Sequence, residues 1–95
     1  AHACEGLGID IELHGAGPLQ RHVMTSIRNT NFYEMALVHP KTAGTFAPVY
    51  RNYRDGLDVI DKNGCVYAPE GPGAGVELDW DFIRKNRTGG VVYGE

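Results

Sequence analysis

Cysteine is scarce. Only Cys4 and Cys65 occur, far apart and in no CxxC pair, so neither a disulfide framework nor a zinc ribbon is signalled, and a reducing, cytoplasmic compartment is expected. No apolar run approaches the roughly 20 residues of a membrane span, which removes a membrane from the expected partners. Positive charge is also in short supply. Nine Lys and Arg stand against twelve Asp and Glu, for a net charge of −3, and no basic stripe exists to neutralise phosphates, which argues against nucleic acid. Ninety-five residues suffice for one domain with one core. The start at Ala1 carries no n-region or h-region of a secretory leader, and a start this abrupt is equally what a cut chain shows. Internal repeats and low-complexity segments are lacking too. What is present is a composition near the globular average, 42% hydrophobic and 22% charged, which argues against wholesale disorder. Thirteen glycines and five prolines point to many turns, or to backbone passing close to a ligand.

Along the chain, AHACEGLG reads as the last turns of a helix that stops at glycine. Residues 9–14, IDIELH, alternate with period two. Ile9, Ile11 and Leu13 share one face and Asp10, Glu12 and His14 the other, which predicts a strand. Gly15-Ala16-Gly17-Pro18 is an open loop. Pro18 suits the first turn of a helix running to about Arg28, with Leu19, Val23 and Ile27 on one face. A second strand is expected over residues 32–38, apolar except for Glu34 and bounded by His39-Pro40. Strand, helix and strand make a βαβ unit with parallel strands and a right-handed crossover. Two parallel strands cannot stand alone, because such sheets need cover on both faces and further strands.

From Lys41 to Asp55 the chain reads as a long ordered connection, aromatic at Phe46, Tyr50 and Tyr53. Asn63-Gly64 between two short β-prone runs, Leu57–Ile60 and Cys65–Tyr67, is the strongest local hairpin signal. The Gly- and Pro-rich stretch from Pro69 to Gly75 reads as a crossing. After it comes an extended piece over Val76–Leu78 and a short helix from Trp80 to about Lys85, capped by Asp79. The tail around Val91, Val92 and Tyr93 is either an edge strand or mobile.

His14 and Glu34 are the leading candidates for chemistry. His14 ends a polar strand face and precedes a glycine-rich loop, the position from which side chains enter a site at the carboxyl end of a parallel sheet. Imidazole suits acid and base work near neutral pH. The plain alternative is an exposed ring packed on Pro18. Glu34 interrupts an apolar strand, where an ionised carboxylate is expensive without partners or a metal; its plain alternative is a strand end open to water. As the crossover joins the two strand ends, both groups can point into one cleft. Asp10 and Glu12 read as solvated or hydrogen-bonded. His2, His22 and His39 lack the short spacings of a zinc site, and His22 reads as a surface residue. Arg51 and Arg54 read as loop-stabilising ion pairs before an anion site. Gly71–Gly75 resembles a phosphate loop only in composition.

The chain resembles the C-terminal part of the mandelate racemase and muconate lactonizing enzyme family, within the enolase superfamily. GIDIELHG is similar to the seventh barrel strand with its His, PLQRHVMTSIRN to the following helix, and NFYEMALVHP to the eighth strand with its Glu. GLDVIDKNGCVYAPEGPGAGVELDWDFI is similar to the segment that returns to the capping domain. The resemblance implies an α/β fold: residues 1–55 as the last βαβ unit of a (β/α)7β barrel, and residues 56–95 as a hairpin and short helix closing against the α+β capping domain. A closed barrel takes about 250 residues, so the expectation is a fragment whose partners include the remainder of the same enzyme.

The same resemblance implies Mg²⁺ held by three carboxylates on strands absent from these residues, gripping the carboxylate of a small-molecule substrate. His14 is then the base that removes the α-proton, or the acid that helps a β-hydroxyl depart. Glu34 lies near the substrate carboxylate and, if protonated, donates to the enediolate oxygen. An acid-sugar dehydratase acting as a homo-oligomer is the expectation. A racemase, epimerase or cycloisomerase would need the same His and Glu. A different class, a small non-catalytic α+β module binding through the aromatic loop Phe46–Tyr53, would need a self-contained core.

Overall fold

The structure, a computed structural model, describes residues 1–35, 49–91 and 94. Three α-helices occur in order: α1 (His2–Gly6), α2 (Pro18–Ser26) and α3 (Trp80–Lys85). A single 3₁₀ turn lies at Leu57–Val59. Each helix has one end with a legible cause. Helix α1 runs out at glycine, with the N–H groups of Leu7 and Gly8 closing on Cys4 and Glu5. Helix α2 opens on Pro18, whose missing N–H costs nothing in a first turn. Helix α3 is capped by Asp79, whose carboxylate accepts the Phe82 N–H at 2.9 Å.

Among the described residues the expected strands do not form. Residues 9–13 are irregular, and the Ile11 N–H bonds to the Asn29 carbonyl at 2.7 Å rather than to a neighbouring strand. The polar face takes the place of a ladder. The Glu12 carboxylate accepts the backbone N–H groups of Asn31 and Phe32, each at 3.0 Å, together with the Thr30 hydroxyl, while Asp10 accepts from the Asn31 amide at 3.0 Å. The physical reason is that a parallel pair needs further strands and helical cover on both faces, and the described residues hold no strand to extend it. Of the second expected strand only 32–35 lie within the described residues, without ladder bonds. Val38, His39, Pro40 and Phe46 lie outside them.

The hairpin is also replaced. Asp61 and Cys65 share one backbone bond at 2.9 Å, and the Gly64 N–H closes on Asp61, but no ladder extends from the turn. Asp61 captures the strand donors itself. Its carboxylate accepts the N–H groups of Asn63 (2.8 Å) and Cys65 (2.9 Å) and the Tyr67 hydroxyl (2.7 Å), the local competition by which Asp favours turns over sheets. Sheet-like pairing appears elsewhere. Tyr50 and Leu78 form one antiparallel bridge, flanked by bonds from Arg51 N–H to Glu77 and from Asp79 N–H to Val49. Val91 is irregular; Val92 and Tyr93 lie outside the described residues.

Among the described residues Ala16 is the one buried hydrophobic side chain, while Leu7, Ile9, Leu19, Val23 and Phe32 are exposed. Of the apolar rows expected to cover a core, Ile9, Leu19 and Val23 are exposed while Ile11, Leu13 and Ile27 are half-buried, and the exposed part costs about 25 cal/mol per Å² of apolar surface in contact with water. The radius of gyration is 16.2 Å, against about 12 Å for a compact domain of this length. Among the described residues the buried charged side chain is Arg21, at the centre of a polar cluster.

Candidate functional site

His14 and Glu34 meet. The imidazole Nδ1 lies 3.1 Å from Glu34 Oε2, and the same oxygen accepts the Gly15 N–H at 2.6 Å. The His14 side chain is 98% exposed, so packing on Pro18 is not what holds it. With Nδ1 against a carboxylate oxygen, Nδ1 is the nitrogen placed to donate, and Nε2 is the one left on the open side of the exposed ring. In this arrangement Glu34 is an acceptor toward both partners.

Behind this pair sits the best-buried cluster of the described chain. Arg21 Nη2 lies 2.5 Å from Asp55 Oδ1, with both side chains nearly excluded from water. Arg21 Nη1 donates to the Tyr67 carbonyl at 2.9 Å. The guanidinium carbon lies over two rings, 5.0 Å from the centre of Tyr33 and 4.8 Å from that of Tyr53, a cation–π arrangement strengthened by desolvation. Burial works against the Arg21 charge, but Tyr33 and Asp55 outweigh it and push its pKa up. Burial, with the neighbouring Tyr33 and Asp55, drives the Tyr53 hydroxyl far above the usual phenol range, so Tyr53 stays a neutral donor to Asp55 Oδ2 at 2.9 Å.

The remaining candidates resolve as follows. Desolvation works to raise the Glu12 carboxyl, but the Phe32 and Asn31 N–H groups together with the Thr30 hydroxyl prevail and hold it below the usual range. Arg51 pairs with Asp81 at 3.2 Å, and Arg54 pairs with Asp58, as loop-stabilising ion pairs. His22 is not a free surface residue. It is half-buried, and its Nε2 lies 3.0 Å from the Ala74 carbonyl, tying α2 to the glycine-rich crossing. That crossing is a turn, closed by the Gly75 N–H on Pro72. His2 is exposed on α1, and His39 lies outside the described residues. Among the described residues no three His, Cys, Asp or Glu side chains gather as a metal-binding group. No helix among them is long and apolar enough to cross a membrane.

Sequence reasoning missed Arg21, Tyr33, Tyr53 and Asp55 as a unit. Their separations of 22 and 34 positions leave no local spacing to read. The one available hint was an aromatic loop beside arginines, and it pointed to Arg51 and Arg54 instead.

A site of this form, a histidine and a carboxylate meeting beside a glycine-rich turn, belongs to a chain whose residues 1–82 match the family described as enolase C-terminal domain-like. The protein is a member of that family. No curated protein and no solved structure matches the chain.

Proposed function

We propose that this chain supplies the His14–Glu34 pair to the active site of an enolase-superfamily enzyme that abstracts the α-proton of a small carboxylate, most specifically an acid-sugar dehydratase. The observation that carries the reading is the 3.1 Å approach of His14 Nδ1 to Glu34 Oε2, on a chain belonging to the enolase C-terminal domain-like family. Glu34 fixes the tautomer and leaves Nε2 free to accept a proton. The α-C–H electron pair then moves toward the substrate carboxylate, giving an enediolate. In dehydration, His14 returns the proton to the departing β-hydroxyl, which leaves as water. A hydrogen bond from Glu34 to the enediolate oxygen requires Glu34 to be protonated, and Oε1, the oxygen that meets neither Gly15 nor His14, is the one placed to carry that proton.

Such chemistry needs a site shielded from water. A 98% exposed His14 and outward-facing Ile9, Leu19 and Val23 support a pocket whose other walls come from further barrel strands. The Mg²⁺ that the family resemblance implies would have its ligands on those strands, and homo-oligomerisation and a cytoplasmic setting belong to the same proposal. Incubating the complete protein with Mg²⁺ and a panel of sugar acids tests the reading. Release of a 2-keto-3-deoxy acid supports dehydration, inversion of the α-carbon without loss of water points to a racemase or epimerase, and turnover of no carboxylate contradicts proton abstraction altogether.

A further inference from the structure

Tyr33 and Glu34 are consecutive, yet they serve opposite sides of one loop. Glu34 reaches the open side, where it meets His14, while Tyr33 enters the buried cluster with Arg21, Tyr53 and Asp55. Both hold the turn that directly follows His14: Glu34 Oε2 accepts the Gly15 N–H at 2.6 Å, and the Tyr33 hydroxyl oxygen accepts the Gly17 N–H at 2.7 Å. That turn is not shaped by local preference. Gly15 and Gly17 have φ of +90° and +141°, regions that glycine enters readily but also leaves readily, so its form depends on what clamps it.

The clamp has a direction. The Tyr33 hydroxyl owns one proton and has three acceptors in reach: Asp55 Oδ1 at 3.0 Å, Tyr53 Oη at 3.1 Å and the Gly17 carbonyl at 3.3 Å. A charged acceptor at the shortest distance wins. Hydrogen bonds therefore run from Gly17 N–H to Tyr33 and from Tyr33 to Asp55, and Asp55 is itself fixed by Arg21 at 2.5 Å and by Tyr53 at 2.9 Å.

We infer that Tyr33, oriented by Asp55, is a positioning residue that clamps the Gly15–Gly17 turn from behind and thereby sets the angle at which His14 and Glu34 meet. The consequence for rate rests on the proposed function; the geometric content does not.

The test uses the complete protein with Tyr33→Phe, read by the amide shifts of Gly15 and Gly17, by the His14 ring nitrogen shifts, and by kcat and KM. Tyr53→Phe is the comparison, because it also removes a hydroxyl from Asp55 but touches no atom of the turn. The expected result is that Tyr33→Phe displaces all three sets of signals and lowers kcat roughly 10- to 100-fold with KM nearly constant, while Tyr53→Phe leaves the Gly15 and His14 signals in place. Unmoved Gly15 and His14 signals in Tyr33→Phe overturn the inference, and so does equal displacement by Tyr53→Phe. Asp55→Asn probes the same relay from its far end if Tyr33→Phe does not fold, and unmoved signals there overturn it equally. If His14→Asn leaves turnover intact while Tyr33→Phe still displaces the His14 signals, the proposed function falls and the clamp remains.

Discussion

Arg21 and Asp55, 34 positions apart, form an ion pair at 2.5 Å that water barely reaches. Such a pair is costly to half-dismantle, because the surviving charge is left buried without a partner. Asp55→Ala in the complete protein is expected to lower unfolding free energy by about 3–5 kcal/mol, measured by chemical denaturation. A loss below about 1 kcal/mol, the range of surface pairs, would show that the cluster is open to solvent.

Acid should loosen two local structures only once pH has fallen below the ordinary carboxylate range. In the folded chain the Cys65 N–H and the Tyr67 hydroxyl hold the Asp61 carboxyl below its usual range, and Glu12 is likewise depressed, its N–H partners Phe32 and Asn31 together with the Thr30 hydroxyl outweighing desolvation. For a depressed carboxyl, the contribution to stability is fully present above the ordinary carboxylate range and is lost as pH falls through the lowered folded value. The amide shifts of Asn63 and Cys65 should titrate together with a midpoint below that range, as should those of Asn31 and Phe32. Midpoints at the ordinary value would mean that these hydrogen bonds do not persist in solution.

Two glycines of the crossing should respond differently to alanine. Gly73 and Gly75 both have positive φ, but a Cβ on Gly73 meets open space, whereas one on Gly75 lies 2.7 Å from the Pro69 carbonyl oxygen. Both substitutions carry the left-handed penalty of about 1–2 kcal/mol. Only Gly75→Ala adds a backbone clash, so it should lower the thermal midpoint distinctly further, and equal midpoints would contradict the turn geometry.

The helices were legible because their signals are local: Pro18 at a first turn, Asp79 three residues before the N–H it caps, and glycine closing α1. The Asn63-Gly64 turn was legible for the same reason. Its hairpin was not, since Asp61 bonds the donors that a ladder would need. The alternation of Ile9, Ile11 and Leu13 correctly sorted apolar from polar residues, but a period of two says which face needs a partner and not whether one is present. Glu34 stood out because it interrupts an apolar run, and His14 because it ends a polar face just before a glycine-rich loop. The residues behind them break no pattern. Arg21 reads as any helical arginine and Tyr33 as any strand aromatic, and only folding joins them to Asp55.

Exposed Ile9, Leu19, Val23 and Phe32 make the 95-residue chain a poor autonomous unit. Expressed alone, it is expected to associate or to unfold without a cooperative transition, as followed by calorimetry and light scattering. A sharp, monomeric transition would favour a self-contained binding module over a contributor to a larger barrel.

The most direct test of the account is the turnover of the complete enzyme carrying His14→Asn, compared with the unaltered protein under the same conditions. If His14 moves the proton, turnover falls by about 10²- to 10⁴-fold while the thermal midpoint stays within a degree or two, since a side chain this open to water contributes little to folding. Turnover close to that of the unaltered enzyme would contradict the assignment of His14.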